Sequence, residues 1–144
     1  MSHERGVLLL SLKPRFAMSI LNGTKTVELR RVAPTVHPGH TVLIYASSPV
    51  RQLVGTCRVV RLDVAPKSAI WKRYGNQCGV TETEYDSYFD GVQDAVAIVV
   101  DRPCPLQEPP SLATLRKRVA GFRPPQSFRY LSNSMLEQLE IATV

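Results

Sequence analysis

Ile20-Leu21-Asn22-Gly23-Thr24-Lys25-Thr26-Val27-Glu28-Leu29-Arg30-Arg31 reads as the end of a helix, a turn at Asn-Gly, and then a strand. The strand packs Lys25, Glu28, Arg30 and Arg31 into seven residues. Strands are built mainly from β-branched and aromatic residues, and alternation usually hides one face only. Four charges on one short strand therefore point to a face turned toward a polar ligand. The competing reading is a solvated edge strand, where Lys and Arg discourage edge-to-edge pairing. In a regular strand, Thr26, Glu28 and Arg30 share one face and Val27 and Leu29 the other. Lys25 then falls with the apolar set unless the turn at Gly23 redirects it.

Upstream, Val7 to Leu12 is a continuous apolar run that reads as a first strand. Pro14 suits the first turn of a helix, and Phe16, Ala17, Ile20 and Leu21 recur at helical spacing, so Pro14 to Asn22 is predicted as a short amphipathic helix stopped by Gly23. Downstream, Pro34 to Gly39 is a loop. Thr41 to Ala46 is a strand, ended by Ser47-Ser48-Pro49. Gln52 to Val64 is a long strand or bent hairpin arm, with Gly55 marking a bulge or a close backbone approach. Pro66 to Tyr74 reads as a short helix carrying Ile70 and Trp71. Thr81-Glu82-Thr83-Glu84 is a capping box that opens a helix through Phe89. Gln93 to Val100 is an apolar strand. Pro103, Pro105, Pro109 and Pro110 form a rigid extended connection. Ser111 caps a helix from Leu112 to about Val119, Phe122 to Tyr130 is a loop or extended piece, and Ser134 to Ile141 is a terminal helix.

This order lacks the regular alternation with long helices that a parallel sheet requires. It predicts an α+β protein: one small, mostly antiparallel β-barrel decorated by short helices. The 144 residues suit one domain over 1–144, with its core at about 7–100 and a helical C-terminal extension.

The net charge is +6, with 18 basic against 12 acidic residues. Such a balance favours polyanionic partners and salt-sensitive binding. The cations gather in the first third, at Lys13, Arg15, Lys25, Arg30, Arg31 and Arg51, and again at Arg116, Lys117, Arg118, Arg123 and Arg129. Acids concentrate between Glu82 and Asp94, which suggests one basic face. Cys57, Cys78 and Cys104 form no Cys-x-x-Cys pair. His37 and His40 flank a Pro-Gly turn and lack a third ligand. No metal and no cofactor is expected. No apolar run approaches the roughly 20 residues that cross a bilayer, so no membrane partner is expected, and the cytoplasm is the default location.

At this point the strings become recognisable. "KPRFAMSILNG" (13–23), "TKTVELRR" (24–31), "GHTVLIYASSP" (39–49) and "LVGTCRVV" (53–60), in that order after a first strand, resemble the ASCH domain family of the PUA-like superfold. The match covers roughly residues 7–100 and is centred on the Gly-x-Lys-Thr-x-Glu-x-Arg string from Gly23 to Arg30. The tail "FRPPQSFRYLS" (122–132) is also similar to ASCH proteins of this length. The resemblance implies a cleft beside the first helix, lined by the charged strand. It implies RNA binding in RNA metabolism or transcription regulation, and in some members ribonuclease activity. A smaller branch hydrolyses acylated cytidine nucleosides with a lysine, a threonine and a glutamate. Lys25 matches that lysine, but Glu28 stands where that branch has its threonine, with Thr26 or Ser47 as nearby hydroxyls.

Function must be argued from the site, because one fold hosts many chemistries. A metal-independent ribonuclease needs a base for the 2′-hydroxyl and a cation for the phosphorane. Glu28, or Lys25 with a depressed pKa, is the candidate base, and Lys25, Arg30, Arg51 or Arg129 the candidate cation. A binding site asks for less. Lys13, Lys25, Arg30 and Arg31 would meet phosphates, Tyr45, Trp71 or Tyr74 would stack a base, and Glu28 would accept from a base edge. Ser47 and Ser127 add hydroxyls. A purely structural reading has Glu28 pairing with Arg30 or Lys25 to stiffen the barrel mouth. The expected partner is RNA, single-stranded or structured, or a nucleoside or nucleotide ligand.

Overall fold

In the computed structural model, which describes residues 6–142, the apolar run becomes β1 (Val7–Leu12). Both of its faces are covered. Leu8, Leu10 and Leu12 enter one cluster of buried side chains, and Val7 and Leu9 another. A strand buried on both sides has no need to alternate. The chain continues through α1 (Pro14–Leu21), β2 (Val27–Arg30), β3 (Thr41–Ala46), β4 (Gln52–Pro66), α2 (Lys67–Tyr74) and α3 (Glu82–Tyr88). It ends with β5 (Asp94–Pro105), α4 (Leu112–Arg118), β6 (Phe128–Leu131) and α5 (Asn133–Gln138).

The six strands form one curled sheet in the order β2-β5-β4-β3-β1-β6. Only β1 and β3 run parallel; every other neighbouring pair is antiparallel. The mixed, mostly antiparallel architecture expected from the sequence is the one observed, as a half-barrel whose edge strands are β2 and β6. Ala17 and Ile20 of α1 pack into the concave cluster with Val54, Val59, Ile98 and Val100. Gly55 leaves no room for a side chain between α1 and β5, because a Cβ there would lie 2.5 Å from Leu21 Cδ2 and 2.8 Å from the Cys104 carbonyl oxygen. The outer face of β1 and β3 is covered by α4 and α5 through Leu115, Leu136 and Leu139. A third cluster joins Val27 and Leu29 to α2 and α3 through Ile70, Tyr85 and Phe89. Trp71 lies in that cluster, its ring 4.8 Å from Tyr85, so it packs rather than presents a stacking platform.

The structure resolves three open readings. Of the loop and extended readings for 122–130, the end is extended: it is β6, which pairs with β1 from Val7↔Leu131 to Leu10↔Phe128. The pairing is long-range, so local patterning carries no sign of it. The proline-rich connection is partly strand, since β5 runs on through Pro103 to Pro105, opposite Gly55 and Thr56. Beyond Val99 its β2 neighbour has ended, and proline is tolerated where one side of a strand is unpaired. Finally, β2 is an edge strand but not a solvated one, as all four of its residues are buried.

Among the described residues no helix is long and apolar enough to cross a membrane. No three metal-type side chains converge among them. The Nε2 atom of His40 lies 2.7 Å from the Gly6 carbonyl, and its ring centroid is 5.1 Å from that of His37.

Candidate functional site

The strand alternation of β2 sends Val27 and Leu29 outward under α2 and α3, and Glu28 and Arg30 inward. The Glu28 carboxylate then sits between two cations. Its Oε2 accepts from Arg30 Nε at 3.0 Å, and its Oε1 lies 3.4 Å from Lys25 Nζ. Lys25, Glu28 and Arg30 are only 3%, 6% and 7% exposed, so this is a buried triad and not a surface ion pair. Burying three charges is costly unless the remaining hydrogen-bonding capacity is used. Here it is. Lys25 Nζ donates to the Cys78 carbonyl, and Arg30 donates to the Ser11 carbonyl at 3.1 Å, to the Ser127 carbonyl at 3.3 Å and to the Ser127 hydroxyl at 2.8 Å. Lys25 precedes the ordered strand, so the alternation of β2 does not govern it. Gly79, at φ +73°, lies against the Lys25 chain, where a Cβ would come to 3.3 Å from Lys25 Cδ and crowd it.

Above this triad opens a cavity of about 610 Å³. Its walls are the β1–α1 junction, β2, α3 and the segment before β6. The junction supplies Lys13, Arg15 and Phe16, α3 supplies Glu84, Tyr85 and Tyr88, and the last segment Gln126 and Ser127. Lys13 is exposed and has no carboxylate partner among the described residues. Lys25 Nζ lies 5.1 Å from the centroid of the Phe16 ring. Burial pushes the Tyr85 hydroxyl up to about 12 and raises Tyr88 as well, the latter opposed by the Arg30 charge. Both phenols are neutral donors at physiological pH. The volume falls in the range of small-molecule sites.

The other residues singled out by sequence lie elsewhere. Arg31 is exposed and donates to the Tyr88 and Asp90 carbonyls, clasping the end of α3. Thr26 turns to Gln77, its hydroxyl 3.2 Å from Oε1. Tyr74 is buried, and its hydroxyl bonds Asp63 on β4. Tyr45 is buried on the far side of the sheet, where desolvation raises its pKa against the opposing charges of Arg51 and Arg116. Arg51, exposed at φ 52°, and Ser47 belong to the turn between β3 and β4. That turn abuts the cavity rim, because Ser47 N donates to the Leu12 carbonyl at 2.9 Å. Arg129 donates to the Arg123 carbonyl and stacks 5.7 Å from the Phe122 ring centroid. The register places Ser11 beside Tyr45, and Ser11 N donates to the Ser127 carbonyl, so Tyr45, Ser11 and Ser127 form one row across β3, β1 and the approach to β6.

Sequence reasoning missed Arg15, Phe16, Glu84, Tyr85 and Tyr88. The one signal available was in α3, where the capping box fixes the helix start and Glu84, Tyr85 and Tyr88 fall within a single turn.

A family-wide sequence profile described as ASCH domain matches residues 10–103. The "ASCH domain-containing ribonuclease" of Zymomonas mobilis is 32% identical over 136 residues, which span 94% of this chain and 91% of that one. The crystal structure of ASCH from Zymomonas mobilis superposes with a TM-score of 0.89 at 32% identity, covering 95% of each chain. Two variants of the Zymomonas protein are similar too, at TM-scores of 0.88 and 0.86 and 32% identity. In one a serine is changed to alanine, and in the other a tyrosine to phenylalanine. The first covers 94% and the second 92% of this chain, and each covers 95% of its own.

Proposed function

The chain belongs to the ASCH domain family, and on that premise we propose that it acts on RNA, seating a single-stranded segment at the cavity beside α1 and cleaving it. The observation that carries this reading is the cavity itself. It is of nucleotide size, its mouth holds the cation Lys13, which meets no carboxylate among the described residues, and its walls offer the aromatic rings Phe16 and Tyr88, with Tyr85 buried behind them. Single strands are recognised by this combination of a cationic track and stacking surfaces. The naming of its Zymomonas relative as a ribonuclease supports the same class of substrate.

The roles divide by burial. Lys25, Glu28 and Arg30 are mutually satisfied, which suits a rigid floor that presents fixed charge. Exposed Lys13 and Arg51, on either side of the Leu12–Ser47 contact, suit phosphates. Ser11 and Ser127, which line the cavity, lie between this rim and Arg30, while Tyr45 is buried behind the sheet. Serine and tyrosine are also the two residue types exchanged in the solved Zymomonas variants. No observation favours the nucleoside amidohydrolase alternative, since neither Thr26 nor Ser47 lines the cavity.

The test is incubation of purified protein with single-stranded and base-paired RNA, with and without a chelator, alongside Lys13→Ala and Arg51→Ala. Both side chains are exposed, so each variant should keep the wild-type melting temperature. The expected result is cleavage of the single strand, with each variant losing affinity and about one unit of salt slope. Wild-type protein that neither binds nor cleaves RNA would overturn the reading. Chelator sensitivity would distinguish metal-assisted from metal-independent cleavage.

A further inference from the structure

Across the mouth of the cavity, the Arg15 guanidinium on α1 is ion-paired to the Glu84 carboxylate on α3. The same guanidinium lies 4.4 Å from the centroid of the Phe16 ring. All three residues line the cavity. One contact therefore occupies two things a nucleotide would use, a cation and an aromatic face. We propose that the Arg15–Glu84 pair is a latch opened by the phosphate of an incoming nucleotide, which takes Glu84's place on Arg15 and frees Phe16 to stack the base.

The chemistry of both partners suits an exchange. The two side chains are 58% and 40% exposed, and ion pairs in contact with water hold weakly. A guanidinium binds phosphate through the same paired N–H fork that it offers a carboxylate. Glu84 is not stranded when Arg15 leaves, because its Oε1 still accepts from Thr81 N at 2.9 Å in the capping box. The buried triad below has no comparable freedom, so the latch is the part of the cavity wall that yields. It also sets specificity. A phosphate-bearing ligand can compete with Glu84, whereas a free nucleoside offers Arg15 nothing and must displace the pair without compensation. This inference rests on the same cavity as the RNA reading and assigns it a gate and a preference for phosphorylated ligands.

The experiment is calorimetric titration of the wild type, Glu84→Gln and Arg15→Gln with the four nucleoside 5′-monophosphates and with the matching nucleosides. Glutamine at position 84 retains the capping box, and a melting curve checks each fold. The wild type should bind monophosphates more tightly than nucleosides. Glu84→Gln should tighten monophosphate binding by about two- to fivefold, the range of an exposed ion pair. Arg15→Gln should abolish the difference between the two ligand classes. Monophosphate affinity unchanged in Glu84→Gln, or no monophosphate binding by any of the three proteins, would overturn the latch. Wild-type RNA cleavage combined with an unresponsive Glu84→Gln leaves the RNA reading standing and removes the latch. Tightening without any action on RNA does the reverse.

Discussion

Arg30 and Ser127 join the two free edges of the sheet. The guanidinium of Arg30, on β2, donates at 2.8 Å to the hydroxyl of Ser127, which stands 97 residues later at the start of β6. The same side chain donates to the Ser11 and Ser127 carbonyls and to Glu28. A half-barrel that no backbone ladder closes is thus laced by one side chain.

Arg30→Ala should lower unfolding free energy by about 3–5 kcal/mol, because it strips a buried carboxylate of its hydrogen-bonded partner. Arg30→Lys keeps the charge but loses the fork, and should fall between that variant and the wild type. Urea denaturation at neutral pH measures both. A midpoint unmoved in Arg30→Ala would show that the seam is held by something else. A loss of RNA affinity in the same variant has to be judged against this loss of stability.

Glu28→Gln should cost more stability than Lys25→Met. The first change removes the counter-charge of two buried cations together, while the second leaves Glu28 still paired with Arg30. The Glu28 loss should be on the order of 3–5 kcal/mol. Equal shifts in the two denaturation curves would contradict a shared carboxylate.

The thiols provide a test of burial. Cys104 is exposed, and Cys57 and Cys78 are buried. Burial above all, with the Glu28 charge adding to it, pushes the Cys57 thiol up to about 12. A raised folded value means that its contribution to stability is whole below its ordinary value of 9.0 and is lost as pH rises toward 12. Titration with an aromatic disulfide reagent at pH 8 should therefore find one reactive thiol in the native protein and three after denaturation. More than one fast thiol in the native state would be incompatible with this packing.

Glu84 should shape the acid limb of stability. The Thr81 backbone N–H, and then Arg15, hold its carboxyl below the usual value of 4.5. A depressed folded value stabilises above the unfolded pKa, and this stabilisation is lost as pH falls through the folded one. Melting temperature plotted from pH 7 down to pH 3 should fall less steeply in Glu84→Gln than in the wild type. Parallel curves would count against the ion pair and the cap alike.

Local patterning made most of the fold legible. The apolar run of β1, the proline-started α1, the Asn-Gly turn and the capping box of α3 are all determined by neighbours in sequence. What stayed hidden depends on distant partners. Nothing near Phe128 signals that it will lie beside Leu10, and nothing near Pro103 signals that the strand on its other side has ended. The site divides in the same way. Glu28 and Arg30 on one face follow from period-two alternation, but Arg15, Phe16 and Glu84 meet only because the fold sets α1 and α3 on opposite sides of one cavity. Tyr45 was placed with the ligand-facing residues because it ends a strand, yet it is buried among Leu43, Leu53 and Leu115.

The late arrival of β6 has a consequence for synthesis. A nascent chain made only as far as β5 has every residue of the Lys25–Glu28–Arg30 triad but neither Gln126 nor Ser127, so the last wall of the cavity is missing. In that interval β1 has one side without a strand, and Arg30 has no Ser127 to hold. The apolar outer face of β1 and β3 is also uncovered until α4 and α5 follow. The cavity is thus incomplete while its first walls are already made, and it is finished only when the segment from Gln126 through β6 has emerged and docked.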